Sequence, residues 1–107
     1  ARGGRVVALL PGSRNQEVAA NFAMMLAAAK KIHAAAPDTR FLVAAFSEKH
    51  AAVVRPLAAG NGSPIEVHVG RTPEVIELAD ACVAVSGSVS LEIMCRAKPT
   101  VVVYRMS

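Results

Sequence analysis

Short apolar runs alternate with amphipathic segments along the chain. A short apolar run closed by turn residues is typical of a strand buried on both faces, as in a parallel sheet. Such strands are predicted at residues 5–10, 40–45, 65–69, 82–85 and 100–104. Helices are predicted between them, at residues 15–36, 48–59 and 72–80, and from the turn at 86–88 to about residue 97.

The first helix has the clearest periodicity. Its apolar residues recur at steps of three and four, which predicts one buried face on a long amphipathic helix. They are Val18, Phe22, Met25, Ala29 and Ile32. The third helix has a start signal instead, because Thr72-Pro73-Glu74 combines an N-cap residue, a proline at the first helical position and an acid in the first turn.

The order of these elements indicates an α/β fold. Five strands separated by four helices require right-handed crossovers and predict a doubly wound parallel five-stranded sheet. The 107 residues suffice for one domain, residues 1–107, and their 53% apolar content suffices for its core. In such sheets ligands bind at the carboxyl ends of the strands, near the point where the strand order reverses. The turns after the first, third and fourth strands are therefore the candidate sites.

Charge and cysteine content narrow the class of ligand. The formal net charge of +4 comes from scattered basic residues, and aromatic residues make up 4% of the chain. This suits an anionic ligand and disfavours nucleic acid, because neither a basic run nor a base-stacking pattern of aromatics is present. Cys82 and Cys95 stand in apolar surroundings without metal-ligand spacing, which indicates buried, reduced thiols of a cytosolic protein and no metal site. No apolar stretch reaches the ~20 residues of a membrane span.

The first turn has the outline of a phosphate site. Gly12, Ser13 and Arg14 place a flexible backbone, a hydroxyl and a guanidinium where a helix is predicted to begin. Unpaired N–H groups at a helix N-terminus attract phosphate, and an arginine adds paired charge-assisted bonds. The alternative is equally favoured by the turn alone: Ser13 caps the helix and Arg14 is solvated. The glycine patterns of dinucleotide-binding folds and P-loop NTPases are both missing, which disfavours hydride transfer and ATP hydrolysis.

The turn after the fourth strand repeats this chemistry. Ser86, Gly87 and Ser88 open a helix, the glycine allows close approach of a phosphate, and Glu92 follows at a position where a carboxylate can accept both hydroxyls of a ribose. The alternative, favoured when the segment is considered alone, is that Glu92 stabilises the helix dipole or forms a capping box with a preceding serine.

The third turn is less specific. Gly70 and Arg71 follow the third strand, and their exposed backbone is suited to pairing with the edge of a base. Considered alone, the turn is better explained by Thr72 acting as an ordinary N-cap. A general base is missing at these strand ends, because His33 and His50 fall on predicted helices and His68 is expected to be a packed strand side chain.

Several segments, taken in order, resemble the lipid-A-disaccharide synthase family. They are LLPGSRNQEV at residues 9–18, VGR at 69–71, and the segment 79–106 with its SG, LE, KP and YRM pieces. The resemblance implies half of a GT-B glycosyltransferase, a fold of two Rossmann-like domains, and this chain looks like most of the nucleotide-binding one. It implies that the catalytic acid/base lies in the other domain, outside this fragment, so that the fragment alone is expected to be inactive.

The implied reaction moves 2,3-diacylglucosamine from UDP to 2,3-diacylglucosamine 1-phosphate, giving lipid A disaccharide phosphate and UDP. By this resemblance Gly12, Ser13, Arg14, Ser86, Gly87 and Ser88 hold the diphosphate, Glu92 holds the ribose, and Gly70 and Arg71 border the uracil. No cofactor and no metal are expected, and the parent enzyme is expected in the cytoplasm, peripheral to the inner membrane.

Two alternatives stay open. One is another UDP-sugar enzyme of GT-B architecture, a muramyl-lipid N-acetylglucosaminyltransferase or a UDP-N-acetylglucosamine 2-epimerase. The other is a non-catalytic binding module, because a fold alone does not determine a function.

Overall fold

A computed structural model describes residues 5–12, 18–60, 65–85 and 98–103. These ranges contain five strands and three helices. In chain order they are β1 (Val6–Leu10), α1 (Val18–Ala35), β2 (Arg40–Ala45), α2 (Glu48–Ala59), β3 (Ile65–Val69), α3 (Thr72–Leu78), β4 (Ala81–Val85) and β5 (Thr100–Val103). The bounds agree with the sequence predictions to within a few residues, whereas the fourth predicted helix lies outside the described residues.

The five strands form one sheet in the order β3-β2-β1-β4-β5, and every neighbouring pair is parallel. The chain therefore builds outwards from β1 to β3 and then returns across β1 to place β4 on its other side. This order confirms the predicted doubly wound, Rossmann-like sheet. The strand order reverses between β1 and β4, so the ligand-binding position expected for such sheets lies at the carboxyl ends of these two strands.

Helices cover both faces of the sheet, and alternation along β1 divides its side chains between them. Val7 and Leu9 pack with α1 and α2 in one apolar cluster, while Ala8 and Leu10 pack with α3 in another. The predicted stripe of α1 is confirmed, because four of its five members are fully buried and Ile32 packs partly buried against the first cluster.

The cluster beneath α3 is made largely of small side chains. Ala8, Ala44, Cys82 and Ala84 line the sheet under Val75 and Ile76 of the helix. Small side chains let a helix approach a sheet closely, and the missing volume is compensated by dense packing. The alanine-rich composition is thus used in this core.

Two polar side chains, Asp80 and Lys98, form hydrogen bonds with backbone groups at the edge of the sheet where the strands begin. Asp80 accepts the Val6 N–H at 2.8 Å while its own N–H donates to the Val6 carbonyl at 2.7 Å. Lys98 donates to the carbonyls of Ala79 at 2.6 Å and Glu77 at 3.1 Å, at the end of α3. A cation is favoured there because unpaired carbonyls carry partial negative charge. The KP piece of the resemblance therefore supports the fold at the edge opposite the strands' carboxyl ends.

Two sequence expectations are wrong. Arg71, and not Thr72, occupies the N-cap of α3, and no side-chain cap bond forms there. Thr72 is already helical and is buried, because the chain turns at Gly70, one residue earlier than the capping pattern suggested. His68 is not packed: 39% of its side chain is exposed, beside Glu66. Both side chains share the α3 face of the sheet, but β3 is an edge strand and α3 packs over β1 and β2.

No helix in the described ranges combines the length and the hydropathy that crossing a bilayer requires.

Candidate functional site

β1 and β4 are neighbouring parallel strands, and their carboxyl ends lie at the same edge of the sheet. β1 and β4 pair in register, with Leu10 opposite Ala84. Pro11 directly follows the last residue of β1, and residue 86, which lies outside the described residues, directly follows Val85 at the end of β4. Neighbouring strands are about 4.8 Å apart. The tertiary structure therefore places side by side two strand ends that are separated by more than seventy residues in the sequence.

The start of the first turn has a backbone that only glycine adopts readily. Pro11 is fully buried, and Gly12 has a φ of 97°. A side chain at this φ would be strained, because its Cβ would crowd the neighbouring backbone. Gly12 is the residue of the predicted diphosphate set in this turn that lies within the described residues.

A buried amide on α1 holds the carbonyl that precedes Gly12. Asn21 is 3% exposed, and its Nδ2 donates to the Pro11 carbonyl at 3.0 Å. Its Oδ1 is buried and accepts no hydrogen bond in the described part of the chain. An unsatisfied buried acceptor costs about 1–3 kcal/mol.

Sequence reasoning missed Asn21. The available signal was its position, three residues after Val18 and four before Met25, which places a polar amide on the apolar face of α1.

The turn after β3 is fully described. Gly70 has a φ of 68°, and its N–H donates to the Ala45 carbonyl at 3.0 Å, which extends the β2–β3 pairing by one residue. A Cβ built on Gly70 would meet no atom within 4 Å, so the space beside it is open. Arg71 is exposed, and its carbonyl accepts the Val75 N–H at 2.9 Å to begin α3.

The two fully described helix starts at this edge differ in how their N–H groups are used. The Ser47 hydroxyl caps α2 by accepting the His50 N–H at 3.3 Å. The start of α3 has no such side-chain bond. Free N–H groups at a helix start carry partial positive charge, and Arg71 adds a full one. The third turn is therefore suited to a polar or anionic ligand group.

The remaining predicted site residues lie outside the described residues. They are Ser13, Arg14, Ser86, Gly87, Ser88 and Glu92. Among the described ones, Gly12 lies at the β1–β4 switch point, whereas Gly70 and Arg71 follow β3, two strands from β1. Two strand spacings amount to about 10 Å.

The charged side chains of β2 and β3 in the described ranges pair with one another and do not form a separate binding site at this edge. Arg40 at the start of β2 pairs with Glu66 at 2.6 Å, and His68 lies 3.3 Å from the other Glu66 oxygen. The Arg40 hydrogen bond lowers the pKa of Glu66, desolvation opposes it, and His68 adds a smaller lowering. Within the described ranges, no group of three or more histidine, cysteine or acidic side chains is placed to hold a metal ion.

Comparison with known proteins gives one consistent match. The family model described as Lipid-A-disaccharide synthetase matches residues 2–107. The chain is 36% identical over 105 residues to a lipid-A-disaccharide synthase of Geobacter sulfurreducens, covering 98% of this chain and 27% of that protein. It is 38% identical over 103 residues to the same-named protein of Thiobacillus denitrificans, covering 96% of this chain and 28% of that protein.

A third relative, a lipid-A-disaccharide synthase of Pseudomonas entomophila, is 34% identical over 104 residues, covering 97% of this chain and 28% of that protein. The chain thus spans about a quarter of the length of the curated relatives it matches. Because the family match covers nearly every residue, the chain belongs to the Lipid-A-disaccharide synthetase family.

Proposed function

We propose that this chain is the UDP-sugar-binding part of a longer glycosyltransferase of lipid A biosynthesis. The reaction transfers 2,3-diacylglucosamine from UDP to 2,3-diacylglucosamine 1-phosphate and releases UDP. The observation that carries the proposal is the direct pairing of β1 with β4, because Gly12 follows one of these strands in the sequence and the Ser-Gly-Ser segment follows the other. Membership of the family supports glycosyl transfer in lipid A biosynthesis.

In this proposal the diphosphate is held between the turn after β1 and the turn after β4. Gly12, Ser13 and Arg14 bind it from one side, and the segment 86–88 binds it from the other. Glu92 accepts the ribose hydroxyls, and Gly70 and Arg71 border the uracil. β1 and β3 are about 10 Å apart, which leaves room for the ribose between the diphosphate and the base. The open space beside Gly70 suits the edge of a base lying against its backbone.

The binding groups also assist departure of the leaving group. Negative charge develops on UDP as the glycosidic bond breaks, and Arg14 with the N–H groups of the turns meets this charge without a metal ion. A fixed donor of this kind is worth ~3 kcal/mol in the transition state.

The acceptor hydroxyl needs a general base, and the described histidines are poorly placed to serve. His50 is buried in α2, His33 is on α1, and His68 lies beside Glu66 on the edge strand. We infer that the base belongs to a second domain outside this chain, that the chain alone does not turn over, and that the whole enzyme works on the cytoplasmic surface of the inner membrane.

Titration of the full-length enzyme with UDP and with ADP tests the binding proposal. Calorimetry is expected to show heat of binding with UDP and far less with ADP. NMR is expected to show that UDP shifts the backbone amide signals of Gly12 and Gly70. Product analysis with acylated and non-acylated UDP sugars tests the reaction. Absence of UDP binding contradicts the proposal, and turnover confined to non-acylated sugars would assign the chain to another UDP-sugar enzyme.

A further inference from the structure

Asn21 is the polar member of the buried face of α1. The other buried residues of this helix are apolar: Val18, Phe22, Met25 and Ala29. A hydrocarbon side chain would satisfy the packing of this face, and an amide buried there leaves its Oδ1 without a partner in the described part of the chain. The packing of α1 therefore does not explain why an amide is present at this position. The feature that distinguishes Asn21 is its hydrogen bond to the Pro11 carbonyl.

That hydrogen bond fixes the orientation of the peptide group between Pro11 and Gly12. The carbonyl and the N–H of a trans peptide point in opposite directions, and the described residues contain no cis peptide. Because the Pro11 carbonyl points at the Asn21 amide, the Gly12 N–H points away from it. Rotation of this peptide would break the 3.0 Å bond and leave a buried carbonyl unpaired.

We propose that Asn21 is a positioning residue for the diphosphate of the nucleotide. It holds the Pro11 carbonyl against α1 so that the Gly12 N–H faces the ligand at the β1–β4 switch point before the ligand arrives. A donor that is already oriented costs no reorganisation on binding. This inference rests on the proposed function, and it assigns to Asn21 an effect on the phosphate part of the ligand and not on the base.

The test compares UDP with uridine, which lacks phosphates, in the full-length enzyme. Asn21→Leu removes the amide while keeping the same branching and number of side-chain heavy atoms, and Met25→Leu is the matched control on the same buried face. Asn21→Leu is expected to weaken UDP about tenfold, the loss of a charge-assisted hydrogen bond, and to leave uridine affinity within about twofold of the parent, which is less than the effect of a neutral hydrogen bond. Met25→Leu is expected to change neither affinity.

The outcomes separate this inference from the proposed function. Unchanged UDP affinity in Asn21→Leu, or equal weakening of UDP and uridine in the folded protein, overturns the positioning role while leaving UDP binding intact. Failure of the parent enzyme to bind UDP removes the proposed function itself. Asn21→Ala, which also lacks the donor, is measured alongside; if neither variant folds, Asn21 is a structural residue and the inference is overturned.

Discussion

At the scale of single residues, polar groups at the two ends of the sheet have different tasks. Asp80 and Lys98, at the amino ends, are engaged with backbone groups of neighbouring elements. Gly12, just after β1, has a φ of 97°, which a residue with a side chain adopts only with strain. The contacts of Asp80 and Lys98 thus serve the fold, whereas a ligand contact of Gly12 is a proposal.

The predicted ligand contacts can be tested by substitution in the full-length enzyme. Arg14→Ala is expected to lower kcat/KM by about a hundredfold, because a donor to the departing diphosphate is lost, and Glu92→Ala is expected to raise KM through loss of the ribose contact. Cys82→Ala, in the buried core of β4, is the control and is expected to change kcat/KM little. Equal, small effects of all three substitutions on steady-state kinetics would contradict the site assignment.

Gly70 and Gly60 provide a matched pair for backbone strain. Gly70→Ala is expected to lower the free energy of unfolding by about 1–2 kcal/mol, because φ is 68° although the space is open. Gly60→Ala is the control, since φ is −83° and the nearest atoms lie at 3.9 Å. Chemical denaturation measures both, and equal losses would show that the conformation at Gly70 is not strained.

At the scale of elements, α3 links the turn after β3 to the start of β4. It begins after Arg71, packs on β1 and β2 through Val75 and Ile76, and leads into β4. Lys98, two residues before β5, donates to the carbonyl of Glu77 in the last turn of α3 and to that of Ala79 just after the helix. The helix thereby connects both halves of the sheet. Its position depends on the Lys98 ammonium group near its carboxyl end as well as on apolar packing.

Lys98→Met should separate stability from binding. Loss of the bonds to Glu77 and Ala79 is expected to lower the free energy of unfolding by about 1–2 kcal/mol, while UDP affinity stays unchanged because the contact is at the opposite edge of the sheet. Lys30→Met, on the exposed side of α1, is expected to change stability by less than about 0.5 kcal/mol. Weakened UDP binding in folded Lys98→Met would place this lysine in the site instead.

At the scale of the whole molecule, one apolar layer joins the two longest helices to four strands. Phe22 of α1 is fully buried in this layer beside residues of β1, β2 and β4, and Ile65 and Val67 of β3 pack against its border. The site at the strand ends is therefore supported by a core that is continuous across the switch point.

Phe22→Ala is expected to cost about 3–5 kcal/mol, a large share of the 5–15 kcal/mol of a typical domain. Phe46→Ala is the control, because Phe46 is 40% exposed just after β2, and it should cost far less. Thermal unfolding of the full-length enzyme monitors both. Similar melting temperatures for the two variants would show that the layer around Phe22 does not carry the stability of this part.

The sequence by itself determined the order and nearly the bounds of the elements. Apolar runs and the α1 stripe report burial directly, and burial is what forms strands and helices in a core. It also indicated the turn chemistry, because glycine, hydroxyl and arginine at a helix start are a local pattern. The predictions for His68 and Thr72 were wrong because the surroundings of both residues depend on where α3 lies. Periodicity along one segment does not contain that information.

Only the tertiary structure decided which strand ends lie side by side. The pairing of Leu10 with Ala84 comes from the crossover that returns the chain past β1, a long-range choice that no local pattern encodes. The same packing set Asn21 against the Pro11 carbonyl and Lys98 against the end of α3. A hydrogen bond between distant residues depends on the position of both partners, so these roles became visible only when the sheet and its helices were assembled.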